Sequence, residues 1–291
     1  MKVLVTGASG QLGHDVMEQL TLRRHEGIGS DITIGNGIAL DITSTQAVED
    51  VLHQVQPDAV IHCAAWTAVD AAEDAENQQK VMQINGDGTR NIAKACRDIG
   101  CKLLYISTDY VFDGKGEAPW QPDCATFAPL NVYGKSKLAG EIAVRETLEN
   151  HFIVRISWAF GKTGNNFVKT MLRMGQTHDI IRVVCDQIGT PTYTEDLSRL
   201  LVDMIETDRY GTYHATNEGG YISWYDFACE IFRQAEMDCV KVLPVTTAEY
   251  GLRKAARPFN SRLDKQKLSK NGFISLPDWH NALRRYLQTA K

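Results

Sequence analysis

The chain has 291 residues, of which 43% are hydrophobic and 23% charged, and its formal net charge is −5. That length holds one large domain or two modest ones. The acidic balance speaks against nucleic acid or an anionic membrane surface as a partner, because both call for a basic face.

The chain opens with "KVLVTG", a short apolar run ended by Gly7, so the first element is expected to be a strand. No charged and apolar leader precedes it, so a signal peptide is not expected. "TGASGQLG" then spaces Gly7, Gly10 and Gly13 as G-x-x-G-x-x-G. Behind it "QLGHDVMEQLTLR" sets Leu12, Val16 and Leu20 on one helical face. Glycines between a strand and a helix let the backbone come close to a phosphate. The amides at the helix start then face a dinucleotide pyrophosphate. "EGIGSD" reads as a weak second strand ending at Asp31, 24 residues after Gly7. An acid there accepts hydrogen bonds from an adenosine ribose and repels a 2′-phosphate, or else it is a turn aspartate. Asp41-Ile42, after "GIAL", is a candidate for the adenine side.

"TSTQAVEDVLHQV" starts on N-cap residues and is expected to be helix, and "PDAVIHCAA" a buried strand. "VMQINGDGTRNIAKACRDIG" is expected to be a helix closed by Gly100, and "KLLYIST" the next strand. "VYGKSKLAGEIAVRETL" is expected to be helix and "FIVRISWAFG" strand. Past about residue 160 the rhythm fades. There "NNFVKTMLRMG", "TEDLSRLLVDMIE" and "SWYDFACEIFRQA" suggest helices and "GTYHATN" and "KVLPV" strands, while "DIIRVVCDQIGTPTY" suggests a strand and a loop. "KAARPFNSRLD" leads to a helical tail.

Alternation of this kind implies an α/β fold, a Rossmann-type doubly wound parallel sheet with a smaller C-terminal α/β substrate lobe. The expected dinucleotide-binding domain is 1–160 with a returning segment at about 190–216. The substrate lobe is expected at about 161–189 and 217–291. The seven cysteines (Cys63, Cys96, Cys101, Cys124, Cys185, Cys229 and Cys239) form no C-x-x-C. Free thiols in a reducing cytoplasm are therefore expected. No apolar run approaches the ~18 residues of a membrane span.

Tyr133 and Lys137 stand one helical turn apart, so their side chains leave one face. A phenol of pKa about 10 is a poor acid at neutral pH, and a nearby ammonium would bring that value down. Lys137 could also hold the nicotinamide ribose. Thr108 closes "KLLYIST" 25 residues upstream and could donate to a substrate carbonyl oxygen. Asn85, in "QINGDG", could orient the lysine through a water, or could be an ordinary polar residue inside a helix. Together these would hold a ketone before a nicotinamide ring.

These residues resemble the extended short-chain dehydrogenase/reductase superfamily. Beyond them, "GASGQLG", "HCAAWTAVDAAE", "STDYVFDG", "NVYGKSK", "RISWAFG", "GNNFVKTML", "DQIGTPTY" and "ARPFNS" occur in this order across nearly the whole chain. As a set they are similar to the dTDP-4-dehydrorhamnose reductase family. The resemblance implies reduction of a dTDP-sugar ketone at C4 by NADPH or NADH, in dTDP-rhamnose and polysaccharide biosynthesis. It casts Tyr133 as general acid, Lys137 as its electrostatic and ribose partner, and Thr108 as the carbonyl-binding hydroxyl. It places Asp109 and Trp158 on the sugar nucleotide. Gly10, Gln11, Leu12, Gly13, Ala64, Ala65 and Trp66 would lie along the cofactor. Asn166, Gln187 and Arg257 fall in segments that resemble the nucleotide-binding part of the substrate lobe. By themselves Trp158 would suggest core, Arg257 a surface charge, and Asn165-Asn166 a helix cap.

Some members of that family dimerise through magnesium held by acidic residues. Asp15 and Glu195 sit near where such ligands would arise, but the closing "LQTAK" offers no carboxylate side chain. No required metal is expected, and the oligomeric state, a homodimer included, stays open. Two rival functions share the scaffold: an epimerase or dehydratase on another nucleotide sugar, and a non-catalytic regulatory subunit. No "DE" follows Thr108, which counts against ordinary dehydratases.

Overall fold

A computed structural model describes residues 1–33, 37–251 and 254–289. The first lobe runs β1 (Lys2–Thr6), α1 (Gln11–Leu22), β2 (Glu26–Asp31), β3 (Ile38–Ala39), α2 (Thr45–Val55), β4 (Ala59–His62), α3 (Ala75–Met82), α4 (Thr89–Ile99), β5 (Lys102–Thr108), α5 (Val132–Thr147) and β6 (His151–Ile156). There follow β7 (Ala159–Phe160), α6 (Phe167–Gly175), β8 (Ile180–Val184), β9 (Ile188–Gly189), β10 (Thr192–Tyr193), α7 (Thr194–Ile205) and β11 (Gly211–His214). The chain closes with β12 (Ile222–Ser223), α8 (Trp224–Gln234), β13 (Lys241–Val245), α9 (Thr247–Tyr250), α10 (Gln266–Lys270) and α11 (Trp279–Thr289).

Seven strands form one parallel sheet in the order β11-β6-β5-β4-β1-β2-β3. The central strands are apolar on both faces because helices cover both. Val3, Val5, Ile61 and Leu104 face one core with α1 and α7, and Leu4, Val60, Leu103 and Tyr105 face the other with α2 and α4. Each such aliphatic side chain contributes about 1.5–3 kcal/mol on burial. Strand order reverses between β1 and β4, and in such sheets the ligand crevice opens outside the strands' carboxyl ends at that point.

Local chemistry sets the helix ends. Ser44 caps α2 by accepting the Ala47 amide, and Asn131 caps α5 by accepting the Gly134 amide at 2.7 Å. Gly100 ends α4 in the left-handed conformation, φ +76°. The helix expected across "VMQINGDGTRNIAKACRDIG" is interrupted. Residues 83–88 widen into a π-helical turn between α3 and α4. Gly88 sits so close to Ile42 that a Cβ would lie 2.8 Å from Ile42 Cδ1. Such widenings gather at functional sites, and this one carries Asn85.

The second lobe pairs β8 with β13 and β9 with β12, and buries Phe160, Val183, Phe227, Ile231 and Trp279 against α6, α8 and α11. The stretch expected to be loop after β8 holds the two-residue strands β9 and β10, which pair with β12 and β7. They are too short to show a period-two pattern in sequence. No helix among the described residues is long and apolar enough to cross a membrane. All seven cysteines are unpaired.

Helix α5 lies so near the sheet that Gly140 has no room for a side chain. A Cβ there would stand 2.6 Å from the Asn85 carbonyl oxygen and 2.8 Å from Tyr105 Cζ. Gly140→Ala is expected to destabilise the fold by about 1–3 kcal/mol through overpacking. Urea unfolding would measure it, as a lower midpoint at unchanged m-value.

Candidate active site

A cavity of about 990 Å³ opens along the carboxyl ends of β1, β2, β4, β5 and β6. The glycine turn forms one wall. Gly7 has φ +69°, and a Cβ on it would stand 2.6 Å from the Ala64 amide nitrogen. A Cβ on Gly13 would lie 2.8 Å from Ala8 Cα. The turn is closed by the Gly10 amide donating to the Gly7 carbonyl at 3.0 Å. The N-cap of α1 is Gly10, which has no side chain to occupy the first amides of the helix. Gly7, Gly10, Gln11, Leu12 and Gly13 all line the cavity. An uncapped helix start behind a glycine turn fits a pyrophosphate.

Further along, Asp31 lines the cavity and accepts the Ser9 amide at 3.0 Å and the Ile32 amide at 2.7 Å. Asp41 is held by the Thr43 amide and hydroxyl, at 2.9 and 2.7 Å, with Ile42 beside it on the wall. Ala64, Ala65 and Trp66 continue the wall past β4. Asn85 is buried behind them. It accepts the Trp66 amide at 2.8 Å and donates to the Trp66 carbonyl and to Ser136 Oγ. It braces the wall and lies outside the cavity lining.

The Tyr133 side chain and Lys137 share one face of α5, and both line the cavity. Lys137 is buried, with its Nζ 4.1 Å from the centroid of the Tyr105 ring. The Tyr105 hydroxyl donates to the Lys137 carbonyl at 3.3 Å. Burial brings the ammonium down to about 7, against the Glu141 charge, which favours its protonated form. Thr108 accepts the Tyr110 amide at 3.2 Å and donates to Asp109 Oδ1 at 3.0 Å. Asp109 is pushed up to about 6 by burial, against hydrogen bonds from Ser261 and Thr108.

Tyr133 does not follow the expectation that Lys137 lowers its pKa. Desolvation and then the Asp109 charge push the phenol up, and only its contact with Thr108 works the other way. Burial works against the charge on the amine that lies over Tyr105, which weakens the support it can give the phenolate.

Trp158 lines the cavity in the left-handed backbone region, φ +50°, which a bulky side chain rarely adopts. Its ring stacks on Trp224 at 3.8 Å. Three expected site residues take other places. Asn166 caps α6, accepting the Lys169 amide at 3.0 Å while donating to Gln11 Oε1 and the Gly161 carbonyl. Gln187 donates to Thr247 Oγ1 at 3.0 Å. Arg257 forms a forked ion pair with Asp70, at 3.1 and 2.8 Å. None of the three lines the cavity. Its wall also includes Lys80, Asn165, Thr194 and Trp224, which sequence reasoning did not select. They come from separated elements, so no spacing announces them. For Trp224 the one available signal was an aromatic at the start of a helix.

Glu195 is engaged by Tyr193, Lys162, Arg199 and Arg285. His14, Asp15 and Glu18 bring ligand atoms within 4.8 Å of one another on α1, away from the cavity wall. Of "LQTAK", residues 290–291 lie outside the described residues.

A doubly wound parallel sheet, a glycine turn at its switch point, and a strand-end threonine facing a tyrosine–lysine helix define an extended short-chain dehydrogenase/reductase. The match narrows further. A family model described as the RmlD substrate binding domain covers residues 1–291. A dTDP-4-dehydrorhamnose reductase of Streptomyces griseus is 42% identical over 287 residues, covering 96% of this chain and 91% of the relative. The crystal structure of a dTDP-4-dehydrorhamnose reductase from Clostridium acetobutylicum matches with TM-score 0.93 and 42% identity, over 100% of this chain and 99% of that one. One from Bacillus anthracis, in complex with NADP, matches with TM-score 0.92 and 44% identity, over 99% and 100%. The chain belongs to the RmlD family, that of the dTDP-4-dehydrorhamnose reductases.

The buried amine makes a testable claim on stability. Lys137 has a folded value near 7 against an ordinary 10.5. The folded state therefore binds fewer protons than the unfolded state between those limits, and stability rises with pH across them. Lys137→Met is expected to melt a few degrees higher than the parent at pH 7 and below. The gain should shrink towards zero as pH climbs to about 10.5. Thermal melts across that range would check it.

Proposed function

We infer that this chain reduces the C4 ketone of dTDP-4-dehydro-L-rhamnose to dTDP-L-rhamnose with NADPH or NADH. The carrying observation is the convergence, in one cavity, of the Thr108 hydroxyl, the Tyr133 phenol and the buried Lys137 amine beside an uncapped glycine turn.

The dinucleotide, when bound, supplies the hydride to the carbonyl carbon. The first amides of α1, from Gln11 to Gly13, would hold its pyrophosphate, Asp31 its adenosine ribose, and Asp41 and Ile42 its adenine side. Ala64, Ala65 and Trp66 would form the wall along it, and Lys137 would bind the nicotinamide ribose. Thr108 donates to the ketone oxygen, turning from Asp109. Tyr133 delivers a proton to the same oxygen as alkoxide character develops. A phenol held above its ordinary pKa suits this direction of reaction, because it stays protonated at neutral pH while remaining far more acidic than an alcohol. Asp109 and Trp158 would contact the sugar. A cytoplasmic location belongs to the same proposal, and seven unpaired thiols speak for it.

Mixing the chain with dTDP-4-dehydro-L-rhamnose is expected to oxidise NADPH or NADH in proportion to ketone, with product configuration read by NMR. Conversion without net cofactor consumption would identify an epimerase or dehydratase instead. Tyr133→Phe is expected to lower kcat about 10²–10⁴-fold with NADPH affinity unchanged by fluorescence titration. A non-catalytic subunit would show no turnover in the parent protein.

A further inference from the structure

Beyond the cavity, α5 carries a third polar residue on the Tyr133–Lys137 face. Glu141 follows Lys137 by one more turn and is wholly buried. Its Oε1 accepts Arg155 Nε at 2.7 Å and Ser107 Oγ at 2.6 Å, and its Oε2 accepts Arg155 Nη2 and Arg145 Nη2, both at 2.7 Å. Glu141 does not line the cavity, so it touches neither substrate nor cofactor.

The partners are placed to matter. Ser107 immediately precedes Thr108 and pairs in register with Arg155 across β5 and β6. Arg155 is itself fully buried, donates to the Pro122 carbonyl at 3.1 Å, and lies over the rings of Phe112 and Phe127. A single carboxylate thus joins the helix that carries the phenol and amine to the strand that ends in the carbonyl-binding hydroxyl. A buried ion pair is a poor way to gain stability, since apolar replacements of similar volume often fold as well or better. Its presence behind the reacting groups calls for another purpose.

We propose that Glu141 is a positioning residue for ketone reduction: locked by Arg155 and Ser107, it sets the spacing of Thr108 against Tyr133 and Lys137 and keeps a negative charge one turn from the amine. The inference rests on the reductase reading above. The groups facing Lys137 are Tyr133 and Glu141 on α5, His62 and Cys63 at the end of β4, and Tyr105 on β5. Among them His62 is held neutral by burial, at about 3, and the Cys63 thiol is pushed up to about 12, so Glu141 supplies the one carboxylate charge. Without it the amine loses its proton at lower pH.

Three variants test this in the steady-state assay with NADPH and dTDP-4-dehydro-L-rhamnose. Glu141→Gln keeps the shape and removes the charge. It is expected to lose about 10-fold or more in kcat, by misplacement of reacting groups, and to move the alkaline limb of the kcat/KM profile to lower pH. NADPH affinity should be kept. Ser107→Ala leaves the charge and cuts only the tie to β5, and is expected to lose about 3–10-fold in kcat with the limb unmoved. The double variant Glu141→Leu/Arg155→Met is expected to melt at or above the parental temperature and still lose about 10-fold or more in kcat. Parental kcat and an unmoved limb in folded Glu141→Gln, or parental kcat in Ser107→Ala, would overturn the proposal. If Glu141→Gln does not fold, Ser107→Ala decides alone. An inactive parent would sink the reductase reading instead, so the two failures are distinguishable.

Discussion

The site depends on one enforced burial: the Lys137 amine, packed over the Tyr105 ring beneath a helix that sits hard against the sheet. A charged amine belongs in water, and removing it from water makes the charge expensive. The position is held because everything around it is over-determined. Gly140 lets α5 approach the Asn85 carbonyl, the Tyr105 hydroxyl ties strand to helix, and Asn131 starts the helix with its cap. A fixed α5 means a fixed Tyr133 as well, because the two side chains share its face.

The sheet supplies the rest of the geometry. Parallel strands end together, so Gly7 after β1, Asp31 at the end of β2, Ala64 after β4, Thr108 at the end of β5 and Trp158 after β6 reach one crevice from distant parts of the sequence. The electrostatics follow from how deeply the titratable side chains along that crevice are buried. Asp109, Tyr133 and Lys137 are all shifted towards their neutral forms, with desolvation the largest cause in each. For a reductase the direction of the Tyr133 shift is coherent, while Glu141 works against the amine's loss of its proton. A neutral phenol still carries the proton that the proposed reduction asks of it, and buried donors act more strongly on a developing alkoxide than they would in water.

Much of this was legible in the sequence where the chemistry is local. The glycine turn and the tyrosine–lysine turn are short patterns whose spacing alone sets their geometry. Thr108 was legible because strand ends are where parallel sheets bind ligands. Side chains that meet only through tertiary packing were not. Trp224 reaches the cavity by stacking on Trp158 from another lobe, and Lys80 comes from the helix before the π-helical turn. Asn166, Gln187 and Arg257 have the right chemistry for a nucleotide, yet each is engaged by a helix cap, a hydroxyl or an aspartate. The direction of the Tyr133 shift was also beyond a pattern, because it turns on how deeply the phenol itself is buried and on the Asp109 charge beside it.

The most direct test is a crystal structure with NADP and dTDP-L-rhamnose both bound. Tyr133 Oη and Thr108 Oγ1 should each lie within hydrogen-bond reach of the sugar O4, with Lys137 Nζ on the nicotinamide ribose. A phenol turned away from O4, or a sugar ring seated beyond reach of Thr108, would contradict the account.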